Sequence, residues 1–353
     1  MTDTTDTSDT ADTTGTAGTA EQTRPDRVTV DDYLGPGEKR FFGEGYKRAR
    51  QRLTDVRVGP GPDGTATVTA LATVRYPDDW SKKGKRNQRP HLSSIDVLLL
   101  AGEAAEVYLA HVLGLDAGQR AAARLRRVRM KAGTSPVEED LDLFPVEAAV
   151  SELPGASGDP RVRVSVADCR VGALRVRLEI EHPAGATRTG PGSYADPDEL
   201  LGSAALRPYG TAHQAKYQVI EGLAVDFPAN SAAATVSSRF RSDEDLPVRG
   251  LESYSHRATS ILDAFVATIQ LGQILLYEID GVPRSASNTL WMRQTVLDIG
   301  DPHQPVTEPE RLTVHLDETE LLTSREGETW RLVDIVGAFR HMSVRCSAAH
   351  RLP

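Results

Sequence analysis

The sequence predicts an α+β protein built from two copies of one unit, in which an antiparallel sheet surrounds a long central helix. Three observations predict this class. Two apolar helical segments share the same internal spacing, strand-like segments with one aliphatic and one polar face flank both of them, and a Gly/Pro-rich stretch separates the two halves. Sheets with one polar face are the antiparallel kind, which excludes a doubly wound parallel sheet.

The length of 353 residues also favours two domains, at about 150 residues per domain. Residues 1–27 belong to neither, because this Thr/Asp/Ala-rich segment is too polar to offset the entropy of ordering it, and we expect a disordered tail. The tail lacks the basic and apolar regions of a secretory signal. Together with only two cysteines in the chain, this favours the reducing cytoplasm.

The two apolar segments predict the central helices, Asp96–Gly114 and Asp263–Gly281. In each helix a long polar side chain, Glu103 or Gln270, follows the aspartate after seven residues, and a glycine follows it after eighteen (114 − 96 = 281 − 263 = 18). The equal spacing predicts that the two helices are copies of one element.

Both helices have recognisable ends and the character of core helices. Ser94 is the N-cap candidate of the first helix and Thr259 or Ser260 that of the second, and a glycine ends each helix. Apolar side chains cover almost the whole circumference, which predicts that protein encloses both helices. Charged and amide side chains interrupt the apolar runs, which excludes membrane spans.

Strands are predicted on both sides of each helix from the alternation of aliphatic and polar residues. The predicted strands are residues 65–76, 161–166 and 174–180 in the first half and 231–240, 312–316, 330–336 and 342–346 in the second. Gly59–Gly64 matches a dinucleotide-binding pattern, but its prolines and the strand that follows predict a hairpin turn. The resulting boundaries are a first repeat at 28–182, a linker at 183–216 with the Gly/Pro-rich stretch, and a second repeat at 217–353.

This order of strand, long helix and further strands, used twice, resembles the double hotdog arrangement of acyl-thioester enzymes. The resemblance implies two repeats packed side by side into one continuous sheet. It also implies an acyl thioester bound between the repeats, with its reactive carbon near a helix N-terminus.

A second resemblance rests on Val30–Arg48, VDDYLGPGEKRFFGEGYKR. This block is similar to the opening of the bacterial avirulence protein D (AvrD) family, which is associated with making syringolides. The resemblance implies condensation of a β-ketoacyl thioester with a sugar-like polyol such as xylulose. The related A-factor synthases of butyrolactone pathways join a β-ketoacyl carrier protein to glycerone phosphate. Residues 261–264 also resemble the Asp-bearing helix start of polyketide dehydratases, where the aspartate works opposite a histidine of the other repeat.

The candidate catalytic residues lie at the predicted helix starts. Unpaired N–H groups and the helix dipole there can stabilise an oxyanion, and His91 with Asp96, or His256 with Asp263, can act as base. Glu103 lies on nearly the same helical face as Asp96, about 10.5 Å further along the axis. Each residue has a structural alternative: a helix cap for the aspartates, a buried salt bridge for Glu103, and a surface loop for the histidines.

The candidate substrate-binding residues include a basic run in a chain whose formal charge is −9. Lys82, Lys83, Lys85 and Arg86 could receive a phosphopantetheine phosphate, an acidic carrier protein or a sugar phosphate, or belong to a solvated loop. The other candidates are Gln270, whose alternative is core hydrogen bonding, and Tyr46, a hydroxyl donor or a packing residue. Arg40, Lys47 and Arg48 are comparable cations near the start of the chain.

The sequence therefore predicts a cytoplasmic double hotdog acyltransferase or condensing enzyme of secondary metabolism or signalling, of syringolide or butenolide type. Its partners would be an acyl carrier protein or acyl-CoA and a small polyol, with no nucleic acid and no membrane; a homodimer is left open. No cofactor or metal is predicted, because the chain lacks a Walker loop, a metal-spaced histidine pair and a Gly-x-Ser-x-Gly elbow. The alternatives are a dehydratase acting on 3-hydroxyacyl thioesters and a non-catalytic acyl-binding module.

Overall fold

Thirteen strands form one continuous antiparallel sheet around two long helices. The structure, a computed structural model, describes residues 29–83, 86–87 (backbone only), 89–133, 137–187, 190–241, 247–288, 290–300 and 309–353. Its helices are α1 Val30–Leu34, α2 Ser94–His111, α3 Ala117–Ala121, α4 Asp198–Leu201 and α5 Ile261–Ile279. Its strands are β1 Arg50–Pro60, β2 Ala66–Arg75, β3 Lys82–Lys83, β4 Arg86–Asn87, β5 Arg124–Lys131, β6 Phe144–Glu152, β7 Val162–Val171, β8 Leu174–Pro183, β9 Gly192–Tyr194, β10 Lys216–Asp226, β11 Ser231–Phe240, β12 Leu290–Ile299, β13 Glu310–Thr323, β14 Thr329–Ala338 and β15 Met342–Arg351.

The strand order shows two halves with the same connectivity. The strands run β5-β8-β7-β6-β2-β1 on one side of the centre and β12-β15-β14-β13-β11-β10 on the other, with β9 beside β1 and β3 paired with β4 in a separate hairpin. The halves join where β5 pairs antiparallel with β12, which sets Val128 opposite Leu297. α2 packs on the first half and α5 on the second. This is a double hotdog fold, so the predicted fold class is confirmed.

The central helices α2 and α5 lie where the sequence predicts them. The N-caps are Ser93 and Ser260, so the first cap is one residue earlier than the predicted Ser94. Gly114 and Gly281 follow the helices with φ of 62° and 61°, the left-handed conformation that glycine adopts after a helix. Among the described helices, α5 is long and apolar enough to cross a membrane, but 94% of its apolar window is buried within this fold.

β-Bulges explain four of the eight described strands that the sequence pattern did not reveal. Residues 65–76, 231–240 and the other predicted segments all fall within or overlap observed strands, whereas β1, β5, β6, β10 and β12 and the short strands β3, β4 and β9 were not predicted. Register shifts against a neighbour occur in β1, β5, β10 and β12. A bulge inserts one residue and reverses the inward and outward alternation, so the period of two is lost. The predicted segment 312–316 likewise ends just before the bulge that follows Asp317 in β13.

The predicted linker at 183–216 contains structure that repeats the beginning of the first half. α4 and the 3₁₀ turns Ala204–Leu206 and Ala212–Ala215 correspond to α1 and to the turns Gly37–Lys39 and Gly45–Arg48. The offset is the one that separates the two helix-start aspartates (263 − 96 = 167). Glycine serves the same turn in both copies, with φ of 78° at Gly35 and 82° at Gly202. We therefore propose that the second repeat begins near residue 197 and not at residue 217.

Candidate active site

A matched set of contacts holds the N-terminus of each central helix. At α2, Asp96 completes a capping box with Ser93, and its Oδ1 accepts a hydrogen bond from Nε2 of Gln51 at 2.5 Å. At α5, Asp263 completes the equivalent box and accepts from Nε2 of Gln218 at 2.5 Å. Both aspartates are buried. In this geometry each carboxylate stabilises a helix start.

The two carboxylates differ in their further partners. The hydroxyl of Tyr76 donates to Asp96, whereas the ammonium of Lys216 forms an ion pair with Asp263. Burial by itself would raise the pKa of Asp263, but Lys216 and the surrounding hydrogen bonds hold that pKa at about 2. Asp263 therefore stays ionised near neutral pH and is a poor proton acceptor there.

A cavity of about 380 Å³ lies at the N-terminus of α2, beside the C-terminal half of α5. This volume falls in the range of small-molecule sites, about 300–1,000 Å³. The walls are mainly apolar and include all three tryptophans of the chain, Trp80, Trp291 and Trp330. The other residues of the wall are Arg40, Phe41, Phe42, Ser81, Lys83, His91, Leu92, Ser93, Ser94, Ala132, Gly133, Val137, Leu174, Gln273, Arg284, Asn288, Leu290, Met292 and Arg351.

The polar part of this cavity is cationic. No aspartate or glutamate is among the described residues of its wall, whereas Arg40, Lys83, Arg284 and Arg351 are. Arg351 is paired with Glu328 at 2.6 Å. The ammonium of Lys83 donates to Oγ of Ser287 at 3.0 Å and to the carbonyl of Asn288. Burial, and to a smaller extent Arg284, lowers the pKa of Lys83 to about 7.

His91 lies in the cavity wall with the properties of a general base. Its Nδ1 is 3.3 Å from the carbonyl oxygen of Arg89, and a carbonyl can only accept, so Nδ1 carries the proton and Nε2 is the unprotonated nitrogen of the neutral ring. The ring of Trp80 packs edge-on at 5.3 Å between centroids. Burial lowers the pKa of His91 below its ordinary value, so the ring is neutral at pH 7.

The start of α2 completes the cavity. Ser93 and Ser94 are both in the wall. The capping box occupies the N–H groups of Ser93 and Asp96, so the first-turn N–H groups that have no acceptor within the helix are those of Ser94 and Ile95. These donors and the positive end of the helix dipole favour negative charge at this end of the cavity. The arrangement can therefore place a base and oxyanion donors around one carbonyl carbon.

The sequence comparison decides the family. The family described as Pseudomonas avirulence D protein (AvrD) matches residues 27–353. This chain belongs to the AvrD family. The resemblance carried by the block at 30–48 is thereby confirmed, and the match extends through both repeats of this AvrD-family chain. No curated protein matches the sequence.

Solved structures similar to this AvrD-family chain share little sequence with it. A tesB protein of Mycobacterium avium subspecies paratuberculosis is 10% identical, with 81% of this chain and 93% of that chain covered and a TM-score of 0.38. A dehydratase domain of a trans-AT polyketide synthase from Brevibacillus brevis is 11% identical, with 84% and 96% covered and a TM-score of 0.37. A 12:0-ACP thioesterase from Umbellularia californica is 13% identical, with 86% and 94% covered and a TM-score of 0.34.

The second helix start of this AvrD-family chain lies at a much smaller cavity. His256, Asp263 and Tyr46 are in the wall of a space of about 30 Å³, which holds about one water molecule. Burial and then Lys216 lower the pKa of His256 to about 4. Tyr46 stacks on His213 with 6.5 Å between ring centroids. The structure therefore brings His256, Asp263 and Tyr46 together, but separately from His91 and Lys83.

Glu103 and Gln270 lie outside both cavities. Glu103 forms a buried ion pair with Arg207 at 2.8 Å and faces a groove of about 650 Å³ on another side of α2. Burial raises the pKa of Glu103 to about 7 in spite of Arg207. Gln270 is buried on α5. Neither residue is therefore part of the wall that holds His91.

The basic run contributes one described side chain to the cavity, that of Lys83. Lys82 is outside the wall, Lys85 lies outside the described residues, and of Arg86 only the backbone in β4 is described. The sequence did not predict that Gln273, Arg284 and the three tryptophans line one cavity. It indicated Arg40 only as a cation, through its place in the AvrD-like block.

Proposed function

We propose that this chain transfers a β-ketoacyl group from a thioester to a hydroxyl of a sugar-like polyol, as a condensing enzyme of syringolide or butenolide type. The observation that carries the proposal is the cavity of about 380 Å³, whose apolar wall meets His91 and the start of α2. An acyl chain needs such a wall, and acyl transfer needs a base and an oxyanion site at the carbonyl.

The chemistry follows from these groups. Nε2 of His91 takes the proton of the attacking hydroxyl while its oxygen adds to the thioester carbonyl. The tetrahedral oxyanion forms beside Ser93 and Ser94, where the N–H groups of Ser94 and Ile95, which the capping box leaves free, and the helix dipole stabilise it. The C–S bond then breaks, the thiolate takes the proton from His91, and an ester and a free thiol leave. The donor is acyl-CoA or an acyl carrier protein, both of the cytoplasm.

The contents of the cavity favour this reaction over the two alternatives. A dehydratase of the kind considered above needs an aspartate opposite its histidine, but no described aspartate lines the wall around His91. On the opposite helix α5 the residue in the wall is Gln273. A passive acyl-binding module needs no ionisable group, whereas His91 and Lys83 both line this cavity.

The test uses purified protein, a β-ketoacyl thioester and either xylulose or glycerone phosphate. We expect thiol release that depends on the polyol, together with an ester of the two substrates by mass spectrometry. Thiol release with formation of the free acid alone would instead establish a hydrolase and contradict the proposal.

The two histidines provide a matched pair of variants. His91→Asn should lower the rate of ester formation by roughly 10²–10⁴-fold, the usual contribution of a general base. His256→Asn changes the equivalent helix start, where the cavity is about 30 Å³, and should leave the rate per folded molecule unchanged. Equal losses in the two variants would remove His91 from its proposed role.

A further inference from the structure

Two buried arginines occupy equivalent places in the two repeats. Arg40 and Arg207 are 4% and 1% exposed. Each donates from Nη2 to an aspartate nine residues earlier, Arg40 to Asp31 at 2.5 Å and Arg207 to Asp198 at 2.6 Å. Their positions differ by the offset that relates the two helix starts (207 − 40 = 263 − 96 = 167), so the surroundings of the two arginines can be compared directly.

The two arginines differ in their second partner. Arg207 also binds the carboxylate of Glu103 on α2 at 2.8 Å. The residue at the position of Glu103 on α5 is Gln270, which is neutral. Nη1 of both arginines is buried and has no hydrogen-bond partner among the described residues, but Nε of Arg207 donates to the carbonyl of Gly202 at 3.0 Å whereas Nε of Arg40 also has no partner there. A buried guanidinium with unpaired N–H groups is costly for the folded state.

Arg40 also lies beside two further cations that have no carboxylate partner among the described residues. It lies in the wall of the 380 Å³ cavity with Lys83 and Arg284, and neither of these forms an ion pair within the described part of the chain. Arg284 is close enough to lower the pKa of both Arg40 and Lys83, after burial as the larger cause. In a chain with a formal charge of −9, this is a local concentration of positive charge.

We propose that Arg40, supported by Arg284 and Lys83, binds an oxyanion of the acyl acceptor, which is a phosphate monoester or a carboxylate. This oxyanion pairs with Arg40 in the way that the Glu103 carboxylate pairs with Arg207. The assignment of this oxyanion to the acceptor rests on the proposed acyl transfer, whereas the existence of an oxyanion site at Arg40 does not depend on it. A guanidinium offers paired N–H donors that match the geometry of phosphate and carboxylate oxygens. The acceptor is accordingly an acidic polyol derivative and not a neutral sugar.

Binding can be measured without turnover, because all three tryptophans line the cavity. Intrinsic fluorescence is titrated with inorganic phosphate, acetate, glycerone phosphate, glycerone and phosphopantetheine. We expect saturable binding of glycerone phosphate and much weaker binding of glycerone. Saturation by phosphopantetheine with none by glycerone phosphate or acetate would place the oxyanion on the acyl donor and overturn the assignment to the acceptor.

Two substitutions test Arg40 in opposite ways. Arg40→Gln removes the guanidinium, and Gln270→Glu supplies the carboxylate that Arg207 already has, leaving Arg40 in place. Each should weaken glycerone phosphate binding by roughly 10- to 100-fold, the value of a charged hydrogen bond. Gln270→Glu should keep or raise the melting temperature, so the test survives if Arg40→Gln fails to fold. Undiminished binding in folded Gln270→Glu, with Lys83 and Arg284 intact, would overturn the role of Arg40.

Proton uptake provides a second readout. A bound oxyanion favours the protonated form of Lys83, whose pKa is lowered to about 7, chiefly by burial. Calorimetry at pH 8 in two buffers of different ionisation enthalpy should therefore show uptake of protons when glycerone phosphate binds. This uptake should be lost in Lys83→Met.

The outcomes distinguish the oxyanion site from the proposed reaction. If acyl transfer fails while glycerone phosphate still binds, the oxyanion site is supported and the reaction is contradicted. If glycerone phosphate does not bind while esters of neutral polyols form, the reaction is supported and the oxyanion site is contradicted.

Discussion

Asp96 and Asp263 occupy the same position in the two repeats: each lies in the first turn of its central helix and accepts a 2.5 Å hydrogen bond from a glutamine 45 residues earlier in the chain. The matched contacts assign these carboxylates to the architecture of the helix starts. The difference between the repeats lies around them, since Lys216 pairs with Asp263 whereas the equivalent position beside Asp96 is Ala49.

Replacing Asp96 should therefore affect stability more than chemistry. Asp96→Asn weakens a capping box and a buried hydrogen-bond network, and we expect the free energy of unfolding to fall by about 1–3 kcal/mol. Urea unfolding measures this change, with the surface variant Asp168→Asn as the control. Ester formation per folded molecule should persist; its loss to the level of His91→Asn would make Asp96 a participant in the reaction.

The pH dependence of ester formation should report His91. Burial lowers the pKa of His91 below the ordinary 6.5, and only the neutral ring can accept the proton of the hydroxyl. The rate should rise with pH to a plateau, with an apparent pKa below 6.5. The profile is measured as kcat/KM against pH with the acyl donor limiting. A profile with an apparent pKa near 7 that disappears in Lys83→Met would point to Lys83 as the base.

Lys83 should give the fold a characteristic pH dependence. Its pKa is about 7 in the folded chain against an ordinary 10.5, so between these values the unfolded chain binds more protons at this site. The free energy of unfolding should then rise with pH in that window, by up to roughly 1.4 kcal/mol per pH unit. Urea unfolding at pH 7, 8 and 9 should show this rise in the wild type and its loss in Lys83→Met. Lys82→Met, which changes a residue outside the cavity wall, should retain it; a rise unaltered in Lys83→Met would contradict the burial of that ammonium.

One acyl chain should bind per polypeptide. The cavity at α2 has about 380 Å³ and that at α5 about 30 Å³, too little for an acyl chain. Calorimetric titration with a non-reactive acyl thioester analogue should give a stoichiometry near one, with a parallel change in tryptophan fluorescence. Two sites of similar affinity would show that the α5 cavity opens in solution.

The Glu103–Arg207 ion pair should be a major element of stability between the repeats. Glu103→Ala leaves a buried guanidinium with one carboxylate fewer, and breaking such a pair costs about 3–5 kcal/mol. Gln270→Ala removes the equivalent neutral side chain and should cost less. Unfolding free energies of both variants test this, and equal losses would mean that packing, rather than charge, sets the cost.

Much of the architecture could be predicted from local sequence. The central helices were recognisable because apolar runs, serine caps and terminal glycines are local signals, and the regular strands because their alternation is unbroken. The bulged strands β1, β5, β10 and β12 escaped because one extra residue reverses the alternation. Local sequence predicts a linker at 183–216 because its glycines and prolines indicate turns. We propose that residues 197–215 open the second repeat, since only the structure shows that these turns correspond to those of residues 30–48.

The sequence by itself determined the double hotdog fold class, the family and the pair of equivalent helix starts, since each depends on spacing along the chain. Only the tertiary structure decided which start opens into a substrate-sized cavity and which closes around Lys216 and Asp263. It also decided that Arg207 binds a second carboxylate, that of Glu103, and that Arg40 has only Asp31 among the described residues. The physical reason is that cavity volume and ion pairing depend on side chains that come from opposite repeats, far apart in sequence, and on how tightly they pack.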